Sequence, residues 1–306
     1  MLRLILLISG FILLIIQQYI YPISSQTQFI IFLVGIILLG IPHGAADLLV
    51  AAQTGSDGAK PFSKLNFFST YLGRLILFAL LLWFFPLVGT GSFIFFAAYH
   101  FGETDLYHFK TNTWPGKLLV CSYGLVILAV ILIPNVDEVK QLLRLSGNGL
   151  EQVHIIDWFK KHQDILLSLS LLLFFSTVFI YFLSVSGTGI MPDKFLFQFA
   201  LLVFILYNLP LVLGFIFYFI VWHSTLSLGN IIRYLRKGNK YSSFFILKQI
   251  CLYSGIAFAG ILLSGIAGFM FISNQAVLVY IFAGLAILTA PHMQIMHDMY
   301  NKLRGS

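Results

Sequence analysis

Long apolar segments separated by short polar breaks run along almost the whole chain. Apolar runs of about 18 residues are long enough for a helix to cross a bilayer, and they predict spans at 2–20, 28–51, 66–88, 90–108, 116–134, 164–187, 194–230, 244–272 and 275–300. Only helices satisfy every backbone group inside such segments, and the alternating pattern of a membrane β-barrel is absent. The sequence therefore predicts an all-α, polytopic transmembrane bundle of about eight to nine spans.

Two segments depart from this pattern. The segment 194–230 is too long for one crossing and is interrupted by Asn208-Leu209-Pro210, which predicts either a kinked helix or a re-entrant half followed by a full span. The polar stretch at about 136–163 is interpreted as an interfacial loop that includes an amphipathic helix around Val153–Phe159. We treat residues 1–306 as one integral-membrane domain.

Composition and charge agree with a membrane protein. Hydrophobic residues make up 59% of the chain and charged residues 9%, which excludes an ordinary soluble protein. The net charge of +7 comes largely from loops beside the spans, so topology explains it better than nucleic-acid binding does. In multi-pass proteins of the inner membrane, loops rich in Lys and Arg lie on the cytoplasmic side. The basic residues of these loops here are Lys60, Lys64, Lys110, Lys117, Arg233, Arg236, Lys237, Lys240, Lys302 and Arg304. If every segment crosses once, the cluster at 233–240 falls outside, so we expect that 194–230 crosses twice or not at all.

Four histidines lie inside the apolar spans: His43, His100, His223 and His292. A lone membrane histidine usually forms a helix–helix hydrogen bond, because an unpartnered imidazole is costly in hydrocarbon. Here each of the four spans runs from an uncharged end toward a basic end, and each histidine falls past the middle of its span. The four are therefore expected at one depth, where a transition metal held between the helices is their predicted shared partner.

Carboxylates accompany two of these histidines. Asp47 lies one turn after His43 and could orient an imidazole of a neighbouring helix. Glu103 and Asp105 follow His100 closely, and carboxylates at this depth need neutralisation by the metal, by a histidine proton or by each other. His297 lies near the predicted membrane interface and is interpreted as solvated.

Four motifs around the histidines resemble those of the Brp/Blh family of membrane β-carotene 15,15′-dioxygenases. They are GIPHGAAD, YHFGETD, WHS and TAPHM, in that order between residues 40 and 293. The resemblance implies a ferrous ion, Fe(2+), as cofactor, and dioxygen and β-carotene or a related carotenoid as substrates. It implies central cleavage to two retinals, which often supply a microbial rhodopsin. By position it makes His43, His100 and His223 iron ligands, and His292 matches the late PHM histidine.

A polyene already dissolved in the lipid bilayer would reach such a site through an apolar tunnel that opens to lipid. Aromatic residues near the proposed ligands are the candidates for its wall: Tyr99, Phe101, Tyr207 and Trp222.

The chain departs from the family pattern at one position. Family members often carry a second histidine four residues after that of WHS, where this chain has Ser227. A hydroxyl is a poor ligand for ferrous iron. Either His292 completes a four-histidine set, or the site has one more open position, or the activity is altered or lost.

Other functions stay open on the sequence alone. An intramembrane transporter of a metal ion or proton also uses buried histidines and carboxylates. Its polar residues would continue to both membrane faces, whereas here they gather on the cytoplasmic side. A lipid desaturase or hydroxylase would be expected to carry an HxxHH box, which does not occur. A non-catalytic relative that binds carotenoid or retinal is the third alternative.

Overall fold

Helices make up nearly all of the residues that the computed structural model describes, which are 1–56, 62–145, 150–185, 192–237, 241–269 and 277–304. No strand occurs in these ranges, and the predicted all-α bundle is confirmed. The helices are α1 Leu2–Ile20, α2 Ser25–Gly55, α3 Lys64–Phe84, α4 Pro86–Asp105, α5 Trp114–Leu132, α6 Val136–Leu145, α7 Leu150–Lys161, α8 Gln163–Ser184, α9 Pro192–Tyr207, α10 Leu211–Arg236, α11 Ser243–Phe269 and α12 Val277–Arg304.

Some of the sequence predictions fall outside the described residues. These are Lys60, Lys240, the ends of the predicted spans at 186–187 and 270–272, and the residues 273–276.

Seven helices in the described part of the chain are long and apolar enough to cross a membrane: α1, α2, α3, α5, α8, α10 and α11. This number is lower than the eight to nine spans predicted. Helix α4 ends in a polar run that includes Glu103 and Asp105, and α9 is only 16 residues long. Both nevertheless pack within the bundle, because each contacts α5. Large apolar side chains such as Leu77, Leu172 and Leu263 are exposed on the outside, as a lipid-facing surface requires.

Side-chain caps begin three of the helices close to where the hydropathy pattern places them. Ser24, Ser63 and Thr113 each accept a hydrogen bond from the backbone N–H three residues later, at 3.2–3.3 Å. A hydroxyl at this position satisfies one of the free N–H groups of the first turn. The polar breaks between apolar runs therefore define helix starts.

The segment 194–230 passes through the bundle twice, which is one of the two arrangements that the basic loops left open. Helix α9 begins beside Phe109, whose ring centre lies 5.0 Å from that of Phe195. It ends at Asn208, whose carbonyl accepts from Gln18 Nε2 at the far end of α1 (2.9 Å). Pro210 then starts α10. This helix runs back to the end of the bundle where α9 begins, and there the Tyr234 hydroxyl lies 2.9 Å from that of Thr54. Both ends of the segment therefore lie on the side of the basic residues, which we call the basic end.

The polar stretch 136–163 contains two helices, α6 and α7. The helix predicted around Val153–Phe159 lies within α7, whereas α6 was not predicted. Two ion pairs join them: Lys140 with Asp157, and Lys160 with Asp137 at 2.7 Å. The hydrogen bond from Lys140 holds the pKa of Asp157 below its usual value. Helix α5 leaves the basic end and α8 returns to it, so the α6–α7 hairpin lies at the opposite end of the bundle.

Helices α4 and α5 approach each other closely at two glycines. A Cβ atom on Gly102 would lie 2.0 Å from the Val120 carbonyl oxygen, and one on Gly124 would lie 1.8 Å from that of Ala98. Only glycine leaves room for backbones at this distance. The glycine that follows the histidine in the YHFGETD motif is thus explained by packing that fixes α4, the helix of His100.

Candidate functional site

The four intramembrane histidines come together in one cluster. Their ring centres lie 5.0 Å apart for His43 and His292, 5.0 Å for His100 and His292, 4.8 Å for His100 and His223, and 5.7 Å for His43 and His223. Each ring therefore neighbours two others. Helices α2, α4, α10 and α12 each contribute one member, and none of the four residues is more than 6% exposed.

Local backbone features shape the helix around three of the four. Helix α2 contains a π-helical stretch, Ile36–Gly40, just before His43, and α10 contains one, Ile216–Ser224, that includes His223. Proline precedes two of the histidines, Pro42 in α2 and Pro291 inside α12. Proline removes a backbone N–H and clashes with the carbonyl four residues earlier, and π-helical turns are common at functional sites.

Several ring nitrogens of the cluster are buried without a hydrogen-bond partner among the residues that the structure describes. Both nitrogens of His100, both of His223, and Nε2 of His292 are in this state. A buried polar atom without a partner costs about 1–3 kcal/mol. Five such atoms in one cluster fit a group that accepts lone pairs from several imidazoles, as a transition-metal ion does.

The ring spacing also fits a shared ion. An imidazole nitrogen binds a metal at about 2.0–2.1 Å, so two ligating rings at right-angled to tetrahedral geometry have centres about 4.5–5.2 Å apart. Three of the four separations lie in this range. The donor atoms do not converge on one metal position, because the described residues contain no group of three His, Cys, Asp or Glu at ligand spacing. Rotation of the rings within the cluster would be needed to direct their nitrogens to one point.

Hydrogen bonds leave the Nε2 atoms of two histidines available. His292 Nδ1 donates to Asp47 Oδ1 at 2.7 Å, and His43 Nδ1 donates to the Leu39 carbonyl at 3.4 Å. A neutral imidazole that donates through Nδ1 keeps its lone pair on Nε2. Asp47 thus orients a histidine of a neighbouring helix, which is the role that the sequence suggested. The Tyr71 hydroxyl donates to the second Asp47 oxygen at 3.2 Å and helps to hold the carboxylate.

Asp47→Asn is expected to lower metal affinity by about 10–100-fold, because the amide cannot serve equally as acceptor for His292 Nδ1. Metal content of the purified protein, titrated against a competing chelator, measures the effect. Asp298→Asn is the matched control, since Asp298 is exposed on the helix that carries His292 and accepts only from Gln294 among the bonds described. Equal affinities of the two variants would contradict this role of Asp47.

Glu103 does not contact the histidine cluster through a hydrogen bond. Its Oε1 accepts from His297 Nδ1 at 2.8 Å and from Arg304 at 3.3 Å. His297 is therefore not simply solvated, because its half-buried ring bonds to a carboxylate on α4. A histidine and an arginine near the basic end neutralise Glu103, so its role is to join α12 to α4 beside the cluster.

Asp105 holds the aromatic residues of α10 that flank His223. Its Oδ2 accepts from the Tyr123 hydroxyl at 2.7 Å, the Trp222 indole at 3.0 Å and the Tyr218 hydroxyl at 3.2 Å. Arg3 donates to the Asp105 backbone carbonyl. The carboxylate thus fixes the π-helical stretch from which His223 projects.

Ser227 is fully buried in α10, next to the Tyr300 hydroxyl. It lies in a region with other polar groups, where the Tyr300 hydroxyl donates to Thr104 at 3.1 Å and Asn230 donates to Tyr300 at 3.4 Å. His292, from α12, is the histidine that joins His43, His100 and His223. The fourth imidazole of this chain thus comes from a different helix than the spacing after WHS implies for the family.

An apolar cavity of about 680 Å³ adjoins the cluster. Three of the histidines are in its wall: His43, His100 and His292. The rest of the wall is almost wholly apolar. Phe68 on α3 and Ile256 and Ile261 on α11 line it and are each at least 50% exposed on the outer surface. The cavity therefore opens sideways, toward lipid, between α3 and α11.

The four residues proposed for the tunnel wall have different positions. Phe101 lines the cavity, and its ring centre lies 4.8 Å from that of His223. Trp222 is buried and points to Asp105, Tyr99 packs against the ring of His297, and Tyr207 is half-exposed at the end of α9. These three are not part of the cavity wall. Tyr99 and Trp222 each adjoin a clustered histidine in sequence, but the turn of the helix directs their side chains elsewhere, and Tyr207 ends a different helix from that of His223.

Sequence reasoning missed Tyr71 and the two α6 residues on the cavity wall, Val139 and Leu142. Tyr71 contacts Asp47 from another helix, and α6 reaches the cavity from the polar stretch interpreted as a loop. No local pattern marks either contact, because both depend on which helices become neighbours.

The comparisons with known proteins agree with the motifs. A family model described as Beta-carotene 15,15'-dioxygenase matches residues 34–300, which include all four clustered histidines. No curated protein and no solved structure shows a significant match to the chain.

Proposed function

The chain belongs to the β-carotene 15,15′-dioxygenase family, and on this premise we propose that it cleaves β-carotene at its central double bond to two retinals, with dioxygen as oxidant. The reaction balances, since one oxygen atom goes to each carbon of the broken bond and no other reductant or oxidant is needed. The observation that carries the proposal is the convergence of four buried histidines, three of them in the wall of an apolar cavity that opens toward lipid.

A ferrous ion is the cofactor that we propose for this cluster, held by His43, His100, His223 and His292. Imidazole is a suitable ligand for ferrous iron, which would supply the activation of dioxygen. The protein's own part is to place the rings. Asp47 holds His292 in the tautomer that frees Nε2, and Asp105 holds the stretch that carries His223.

The cavity fits an apolar polyene better than a polar ligand. Its wall is formed by aliphatic and aromatic side chains, with Phe215 and Phe219 stacked at 5.0 Å beside the histidines. A carotenoid partitions into the hydrocarbon layer, so an entrance between α3 and α11 gives it a direct path. The same wall excludes water from the reacting bond.

A transport function for a metal ion or proton is less well supported. A conducting path would need polar groups on both sides of the histidines. The described wall between the cluster and α6 is instead made of apolar residues: Phe93, Ile94, Ala97, Leu128, Ile131, Leu132, Val139, Leu142, Leu211, Phe215, Phe282 and Leu285.

Expression of the chain in cells that accumulate β-carotene tests the proposed function. We expect loss of the carotenoid colour together with retinal, identified by chromatography, when iron and oxygen are present. Cells that carry the protein in their membrane yet keep their β-carotene and form no retinal would refute it.

A further inference from the structure

One end of the cavity is covered by α6. Val139 and Leu142 of this helix line the cavity, and α12, which carries His292, packs against α6. Ion pairs with α7 hold α6 in place from its outer side, between Lys140 and Asp157 and between Lys160 and Asp137. Between α3 and α11, by contrast, residues of the cavity wall are exposed on the outer surface of the bundle. The cavity thus has an open side and a covered end.

The histidine cluster lies between the open side of the cavity and its covered end. Wall residues toward α6 precede the histidines in their own helices: Phe93 by seven residues in α4, Phe282 by ten in α12, and Leu211 by twelve in α10. At a rise of 1.5 Å per residue, the apolar wall continues about 10–18 Å beyond the cluster. A molecule that enters from the lipid side can therefore extend past the histidines until α6 stops it.

We propose that α6, through Leu142 and Val139, sets how far a polyene enters and so determines which double bond lies at the histidines. This inference rests on the proposed function and deepens it. A symmetric carotenoid presents its central bond to the cluster only when half of its length fits between the cluster and α6. α6 is then a determinant of central rather than off-centre cleavage, although its residues contact neither the histidines nor the bond that breaks.

Substitutions at Leu142 change this depth in opposite directions. Leu142→Trp adds bulk at the covered end, so β-carotene enters less far and a bond nearer its inner ring lies at the cluster. We expect retinal to fall by at least about tenfold, with one carbonyl product shorter and one longer than retinal in its place; each is an aldehyde, or a methyl ketone where the cleaved carbon carries a methyl group. Leu142→Ala deepens the cavity without adding bulk, and we expect a mixture of retinal with carbonyl products of both lengths.

The measurement is the set of aldehydes and ketones that detergent-purified, iron-loaded protein forms from β-carotene, resolved by chromatography. Gln141→Trp is the matched control, because Gln141 is exposed on the same helix and is not in the cavity wall. It should form retinal alone, as the wild type does.

The outcomes separate the two proposals. A wild-type protein that leaves β-carotene intact refutes the proposed function and this inference with it. An active wild type with retinal as the sole product of both Leu142 variants overturns the inference alone. If Leu142→Trp fails to accumulate or is inactive, the products of Leu142→Ala decide: retinal alone overturns the inference, and a mixed set supports it.

Discussion

Replacing His292 with alanine is expected to lower bound iron and retinal formation by at least about 100-fold, a larger effect than loss of an outer hydrogen bond to a ligand. His292 is 6% exposed, its ring lies 5.0 Å from those of His43 and His100, and its Nε2 has no hydrogen-bond partner in the described part of the chain. No further imidazole can take the place of His292, because the position where the family often has a second histidine after WHS holds Ser227 in this chain. Iron content per chain and the rate of retinal formation measure the two effects.

His154→Ala serves as the control for this substitution, since His154 is exposed on α7 at the other end of the bundle. It should keep full iron content and full activity. A His292→Ala protein with normal iron content and wild-type rate would remove His292 from the ligand set, leaving three histidines and an additional open position.

Replacing Gly124 with alanine is expected to separate α4 from α5 and to destabilise the folded bundle by about 1–3 kcal/mol or more. The added Cβ would lie 1.8 Å from the Ala98 carbonyl oxygen, an atom of the backbone that no rotamer change can move. Ala98 precedes His100 by two residues, so the same displacement should also disturb the histidine cluster. The midpoint of thermal unfolding in detergent and the iron content report these two effects.

Gly91→Ala is the control for packing. A Cβ at Gly91, on α4, meets nothing within 4 Å, and alanine has a higher helix propensity than glycine by about 1 kcal/mol. This variant should unfold at the wild-type temperature or above it. An unchanged midpoint for Gly124→Ala would show that α4 and α5 are not packed as closely as described.

Much of the fold could be predicted because a bilayer leaves few choices for the backbone. Apolar length gave the helices, and capping residues such as Ser24 and Thr113 lie at the polar breaks where helices begin. The basic loops indicated that 194–230 crosses twice or not at all, and the α9–α10 hairpin has the first of these arrangements. The two helices of 136–163 were not predicted in full, since their stability depends on ion pairs between residues about 20 positions apart.

The candidate site, like the fold, could be predicted from the sequence only in part. The four histidines were identified from polarity inside apolar spans, and their common depth followed from span direction. Their mutual distances, the bond between Asp47 and His292, and the pairing of Glu103 with His297 depend on helix rotation and neighbours. Trp222 illustrates the limit: it adjoins His223 in sequence, yet the turn of the helix directs its indole to Asp105 rather than to the cavity.

The most direct test of the central claim is the stoichiometry of the reaction with purified protein that carries ferrous iron. β-Carotene consumed, dioxygen consumed and retinal formed are measured together in one closed vessel. We predict two retinals for each β-carotene and each dioxygen consumed. Consumption of dioxygen with β-carotene unchanged, or loss of β-carotene without retinal, would contradict the assignment of this histidine cluster to central carotenoid cleavage.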